Sequence, residues 1–247
     1  MRIQSKHIFL TAAFVLLSAI GIRAAVTVDG ISYNLDSADN TAAVAPATYS
    51  GEVTVPATII SDGTTYTVTS VAESAFANAS VKTVKLPNTV RTIGESAFAN
   101  CQSLESIELG NSVETIGQTA FFYCKQLKGF TVPPTLRTID GMSFYECIGL
   151  TRVDISDIGA WCRMEFKDKY ANPLLIARNL YLNGELMTDV VVPSDVKAIG
   201  NYVFQNCECL ENITFPKGLG SIGDNCFQNC IKLKAVDIPN SVKTVGR

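Results

Sequence analysis

The stretch Val81-Lys-Thr-Val-Lys-Leu-Pro87, followed by Val90-Arg-Thr-Ile93-Gly94, Ala97-Phe98, Asn100 and Cys101, decides the fold. The same positions return as Leu104, Ile107, Leu109, Val113, Ile116-Gly117, Ala120-Phe121 and Cys124. They return again as Leu127, Phe130, Val132-Pro133, Leu136, Ile139, Phe144 and Cys147. After an interruption they resume at Met187, Val190, Val192-Pro193, Val196, Ile199-Gly200, Phe204 and Cys207. One more copy runs through Leu210, Ile213, Phe215-Pro216, Leu219, Ile222-Gly223, Cys226-Phe227 and Cys230. Phe98, Phe121 and Phe144 are 23 residues apart, as are Phe204 and Phe227. A fixed period of this size marks a stacked repeat.

Each unit has a physical reading. The two apolar residues before Pro are two apart, the period of a strand with one buried face. Pro ends the strand because it has no N–H for the ladder. Gly after Ile predicts a tight bend, and Ala-Phe with Cys predicts a short helical turn on the opposite side. One coil cannot bury its own apolar edge, so coils must stack, their strands forming a parallel sheet with rungs ~4.8 Å apart.

Outward from these regular coils the pattern loosens. Residues 25–51 are expected to form an N-terminal β cap, with the solenoid proper over residues 52–247. The first coil carries extra residues around Asp62-Gly63, a hairpin signal. An irregular long coil occupies residues 150–190. There the apolar spacing over residues 157–166 predicts a short helix capped by Ser156 or Asp157. Leu180-Tyr-Leu-Asn183-Gly184-Glu-Leu predicts a hairpin that returns the chain to register. The last coil, residues 233–247, stops at the bend, before its Ala-Phe and Cys. The expectation is a truncated chain; the alternative is an end covered by another protomer in end-to-end self-association.

Residues 1–24 read as a signal peptide. Arg2 and Lys6 precede an apolar run from Ile8 to Ile22, with Ala24 before the expected cut. Fifteen residues are short for a membrane span, and no later stretch is long enough for one. The reading is a secreted or cell-surface protein with no membrane span in the mature chain.

The unit Leu-x-x-Ile-x-Leu/Ile-Pro-x-Ser-Val-x-x-Ile-Gly-x-x-Ala-Phe-x-x-Cys, seen in Val81–Cys101, Leu104–Cys124 and Leu210–Cys230, resembles the BspA-like leucine-rich repeats. The long coil, from Ile155-Ser-Asp-Ile-Gly-Ala-Trp-Cys to Leu180-Tyr-Leu-Asn-Gly-Glu, also looks like an interruption recurrent in such proteins. The resemblance implies a leucine-rich-repeat solenoid, β-rich α/β, with a parallel sheet of 23-residue coils and short helical or irregular segments on the other face. It implies secreted or surface-displayed proteins of anaerobic gut and oral bacteria, acting in adhesion to host matrix proteins, co-aggregation and host recognition. It supplies no catalytic residues.

Composition narrows the chemistry. The 247 residues include 20 Lys+Arg, 23 Asp+Glu, 8 Cys and one His, for a net charge of −3. Without a basic footprint, nucleic acid is not an expected partner. The one histidine is His7, inside the leader, so the exported chain has none. That removes Ser-His-Asp and Cys-His activation and every imidazole metal site. Eight Cys in an exported chain suggest disulfides. Yet Cys101, Cys124, Cys147, Cys207 and Cys230 occupy one slot of successive coils, whose parallel Cβ vectors suit buried free thiols better than bridges. Cys207, Cys209, Cys226 and Cys230 have the spacing of a four-thiolate zinc site, but only Cys209 falls outside the buried pattern, and no metal or cofactor is expected. For an enzyme the remaining material is carboxylate: Asp154, Asp157, Glu165, Asp168 and Asp189 around the long coil. Trp161 reads as the core of that coil.

Binding is therefore sought on the outward strand positions: Lys85, Glu108, Thr131, Asp154, Thr214 and Asp237, and, two residues before that slot, Arg152, Asp189 and Asn212. This face is polar, of mixed sign and expected to be free of aromatics, which suits a protein partner better than a sugar. The expected partner is an extracellular protein of host matrix or neighbouring cell. The competing readings are a structural spacer with no ligand, and an enzyme acting on carbohydrate or peptide.

Overall fold

The computed structural model describes residues 25–247; the signal-peptide reading lies outside the described residues. The repeat folds as a parallel-sheet solenoid, and each regular coil carries three hydrogen-bonded lanes rather than the single sheet expected. The first lane holds the strands before Pro. Ser50–Thr54, Ser80–Lys85 and Ser106–Glu108 pair in parallel, as do Gly129–Thr131, Arg152–Ile155 and Leu180–Leu182, and then Asp189–Val191 with Asn212–Thr214.

The second lane was read only as a bend. It is a column of two-residue strands at the Thr-Ile step: Thr92–Ile93, Thr115–Ile116 and Thr138–Ile139, continued by Glu165–Phe166. Ala198–Ile199, Ser221–Ile222 and Thr244–Val245 repeat it further on. Here the Gly after Ile does not supply a left-handed bend. A Cβ on Gly94 would sit 2.6 Å from the Glu73 nitrogen, and on Gly200 2.3 Å from the Met164 carbonyl oxygen. Glycine is required because successive backbones approach too closely for a side chain.

The third lane replaces the predicted helical turn. Around each Ala-Phe the chain makes consecutive turns with two left-handed residues, such as Ser96 (φ 53°) and Asn100 (φ 59°), then Thr119 (φ 52°) and Tyr123 (φ 60°). This conformation turns backbone groups toward the neighbouring coil. The Phe76 N–H donates to the Ala97 carbonyl at 2.7 Å, that of Phe98 to Ala120 at 2.7 Å and that of Phe121 to Ser143 at 2.9 Å. A helix would have consumed these groups internally, leaving the coils unjoined on this side.

The long coil receives all three lanes from the coil before it, and the strands that follow it start separate sheets. Asp157 caps a short helix, α1 (Ile158–Cys162), accepting from the Ala160 N–H at 2.9 Å. The helix is shorter than predicted because Glu165–Phe166 is drawn into the second lane. An unforeseen second helix, α2 (Leu174–Ala177), follows Pro173. The Tyr170 carbonyl accepts from Phe144 in the third lane, and Leu180–Leu182 continues the first before its hairpin with Glu185–Leu186. Elsewhere, Thr58–Ser61 and Thr64–Val71 form the hairpin about Asp62-Gly63. Val26–Val28, Ile31–Asp36 and Thr41–Val44 form an antiparallel run, the last pairing in parallel with Thr64–Val71. In the final coil no strand forms at Lys234–Ile238, so Asp237 is exposed loop rather than part of the face.

The interior is a set of ladders. Tyr49 leads a ring stack through Phe76, Phe98, Phe121 and Phe144, with centroids 4.5 to 5.3 Å apart; Phe204 and Phe227 repeat it at 5.6 Å. Beside it run the thiols, all eight free and buried, Cys209 included. Four of the five ladder thiols donate to the Phe carbonyl of the coil before, among them Cys101 to Phe76 at 2.9 Å, Cys124 to Phe98 at 3.1 Å and Cys147 to Phe121 at 3.0 Å; Cys207 bonds with Cys209 instead. A small side chain that is apolar yet donates one weak hydrogen bond fits that slot.

Two outcomes follow for stability. Phe121→Ala should destabilise by about 3–5 kcal/mol in urea denaturation, because its ring is fully buried against Phe98, Phe130 and Phe144. Phe227→Ala, at a half-buried ring, should cost well under that. The thiols set an alkaline limit. Burial pushes Cys101, Cys147 and Cys162 up to about 12, from an ordinary value of 9.0, and raises Cys124 well above it. For groups raised in the folded state, the stabilising contribution is complete below pH 9.0 and is lost as pH climbs toward about 12. Each such thiol contributes about 1.4 kcal/mol per pH unit in that window. Urea midpoints should therefore fall between mildly and strongly alkaline buffer, and Cys124→Ala should flatten the slope.

Candidate interaction face

The outward positions of the first lane are built by strand alternation, and register places them side by side. Lys85 lies beside Glu108, Thr131 beside Asp154, and Val191 beside Thr214. Two residues earlier, Gly129 lies beside Arg152 and Asp189 beside Asn212. Stacked at one rung, unlike groups find each other. The Lys85 ammonium sits 3.0 Å from the Glu108 carboxylate, with both half or more exposed. The Asn212 amide donates to Asp189 at 2.7 Å, and the Thr188 hydroxyl donates to its other oxygen at 2.6 Å. These two bonds, Thr188 first, hold the Asp189 carboxyl below its ordinary range. Such exposed pairs add little stability, but they leave few unsatisfied groups for a partner.

The long coil departs from this. Asp154 has Tyr181 as its neighbour on the far side, so an aromatic stands on the face after all. Arg152 lies over that ring, its guanidinium carbon 4.1 Å from the centroid. Its Nε donates to Asp154 at 2.7 Å and a terminal nitrogen to the second oxygen, a bidentate grip that raises the arginine further. Gly129 makes room for it, since a Cβ there would come within 3.1 Å of the Arg152 side chain. Across the hairpin, Leu186 pairs with Tyr181 and is 44% exposed, and Val191 on the next lane segment is 70% exposed. The signal for Tyr181 was present in the Leu180-Tyr-Leu182 alternation, which matches the strand step of the other coils.

The long-coil carboxylates are each engaged. Asp157 caps α1, and Asp168 accepts from the backbone of Met142, Tyr170 and Ala171. Glu165 is 2.5 Å from Lys167, which pulls its pKa down, away from the range of a general acid. Asp157 and Glu165 share a cleft of about 470 Å³ with Arg137 and Arg163, but Arg163 is paired with Asp195 at 3.0 Å. Among the thiols, Cys207 and Cys209 share a hydrogen bond at 3.5 Å, which lowers the Cys209 thiol and raises that of Cys207. Cys230 is turned instead to the Phe204 carbonyl at 3.0 Å. Among the described residues no three metal-binding side chains converge, and no helix is long and apolar enough to cross a membrane.

Comparison with known proteins agrees with this architecture. No curated protein matches the sequence. A leucine-rich repeat protein of T. pallidum has a similar structure at a TM-score of 0.55 and 25% identity, covering 85% of this chain and 90% of its own. A leucine-rich cell surface protein of Faecalibacterium prausnitzii is similar at 0.47 and 22% identity over 91% of this chain, which spans about half (51%) of that protein. A leucine-rich repeat protein of Bacteroides capillosus matches at 0.44 and 29% identity, over 46% of this chain and 86% of its own. The BspA type leucine-rich repeat region is matched in six copies over residues 58–169 and 175–247. With most of its residues in that repeat, the chain belongs to the BspA-type leucine-rich repeat family.

Proposed function

We propose that this is an exported, non-enzymatic repeat protein of the bacterial surface, which binds an extracellular protein, as an adhesin does, through the first-lane face. The observation that supports the reading is the Arg152–Tyr181 pair with exposed Leu186 beside it. Arginine and tyrosine on a rigid strand, flanked by exposed apolar groups, have the make-up of an interface hot spot. The rest of the face, with Lys85, Glu108, Thr131, Asp189, Asn212 and Thr214, acts as a polar surround. The engaged carboxylates support a role without catalysis. A spacer reading draws on one observation, the pairing of Lys85 with Glu108 and of Asp189 with Asn212.

The test is a binding panel of host matrix proteins and neighbouring cells, probed with the full chain. Arg152→Ala and Tyr181→Ala should each weaken binding by roughly tenfold or more while shifting the melting temperature little, because both side chains reach solvent. Unchanged binding in both variants, together with charge reversal at Glu108, would leave the spacer reading standing.

A further inference from the structure

The third lane carries a second departure from the repeat. The residue after each ladder Phe is Ala77 or Ala99 in earlier coils and Gln205 or Gln228 in later ones. Between them stand Phe122 and Tyr145. The next position is left-handed in every one of these coils, with φ from 59° to 61°. Asn78, Asn100, Asn206 and Asn229 suit it, because a short polar side chain tolerates that region. Tyr123, at φ 60°, does not, and a bulky residue held there marks stored strain. In the Phe121 coil both positions thus become aromatic, whereas in the Phe144 coil the first becomes Tyr145 and the left-handed slot holds Glu146, at φ 61°.

Those rings collect into one half-buried cluster. Phe122 lies 4.6 Å from Tyr123 and 5.5 Å from Tyr145, nearly parallel to the latter at 17°. Tyr170 of the long coil meets Tyr145 edge-on at 5.0 Å. The Lys125 ammonium stands 5.0 Å over Tyr123 and that of Lys169 4.8 Å over Tyr170. Neither lysine is within salt-bridge distance of a carboxylate among the described residues. Ile148, which follows Cys147 as Lys125 follows Cys124, is 63% exposed.

The chemistry points to one kind of occupant. One face each of Tyr123 and Tyr170 is covered by an ammonium group and Phe122 stacks nearly parallel on Tyr145, so part of the flat surface that a sugar would stack on is taken. The cluster also presents ring edges, which carry the positive part of the quadrupole, two unpaired cations and an apolar neighbour. We propose that this cluster binds a short acidic segment of a partner protein, one that carries aromatic side chains beside its carboxylates. The site is separate from the Arg152–Tyr181 face and does not depend on it.

A labelled glutamate–tyrosine copolymer is the probe, with a lysine–tyrosine copolymer and alginate as controls, each titrated against the full chain. The glutamate–tyrosine polymer should bind, and the controls should bind at least about tenfold more weakly. Lys125→Ala/Lys169→Ala should cost about tenfold or more. Tyr123→Asn should weaken binding while raising the melting temperature, since it relieves the left-handed strain. Arg152→Ala should change nothing in this assay, which separates its outcome from that of the first-lane face. Alginate binding as tightly would transfer the site to an anionic glycan and overturn the proposal. So would full binding in the double lysine variant, or a lower melting temperature in Tyr123→Asn, which would assign that ring to packing.

Discussion

Backbone hydrogen bonds running along the solenoid axis, from each coil to the next, set a single spacing that everything else must meet. They are made in three lanes, so a coil has little freedom to tilt or slide against its neighbour. Gly94 and Gly200 are glycine because that spacing leaves no room for Cβ. The Phe rings stack because the same spacing, near 5 Å, falls in the range of centroid separations for offset-stacked rings. The ladder cysteines follow from it too, since Cys101, Cys124, Cys147 and Cys230 each reach the Phe carbonyl of the coil before. Deletion of one ring or thiol therefore disturbs a column, and not only a site.

The same constraint governs the surface. Identical positions of successive coils lie about one rung apart, so a face repeated without change would place like charges in contact. The chain avoids this by alternation, setting Lys85 against Glu108 and Asp189 against Asn212. A surface that satisfies itself in this way is soluble but offers little to a partner. The proposed recognition sites are the places where the alternation or the slot preference is broken. Two such places exist in the described chain: Arg152 with Tyr181 in the first lane, and the Phe122–Tyr170 ring cluster in the third.

Much of this was legible in the residues. The period, the buried face, the Asp157 cap and both Gly-containing hairpins follow from spacing and turn chemistry alone. Two features were misread for one reason: their hydrogen bonds run between coils and leave no local periodicity. Thr-Ile-Gly looks like a bend, yet it is a strand whose partners are 23 residues away. Ala-Phe looks helical, yet the recurrent Asn78, Asn100, Asn206 and Asn229 already signalled left-handed turns. The interaction face was legible in its paired positions, because strand alternation is local. At Tyr181 the Leu180-Tyr-Leu182 alternation carried the signal, but at Asp237 nothing in the residues marked the loss of the strand. In that coil the second-lane strand Thr244–Val245 forms while the first-lane strand does not.

The long coil accounts for where the two proposed sites lie. An insertion into a stack held by three lanes is tolerated only if each lane is re-entered in register. Tyr181 re-enters the first beside Asp154, Glu165 the second beside Thr138, and the Tyr170 carbonyl receives the third from Phe144. The surplus residues are folded into α1, α2 and a hairpin between these points. Their side chains are free of the repeat's slot rules while their backbone is fixed by it. That combination, rigid placement with unrestricted residue choice, is what a recognition surface needs. Both candidate clusters draw a ring from this one coil, Tyr181 on one side and Tyr170 on the other. The exposed positions of the interruption are thus where sequence can vary at least cost to the stack, while Trp161, Cys162 and Leu174 stay in the core.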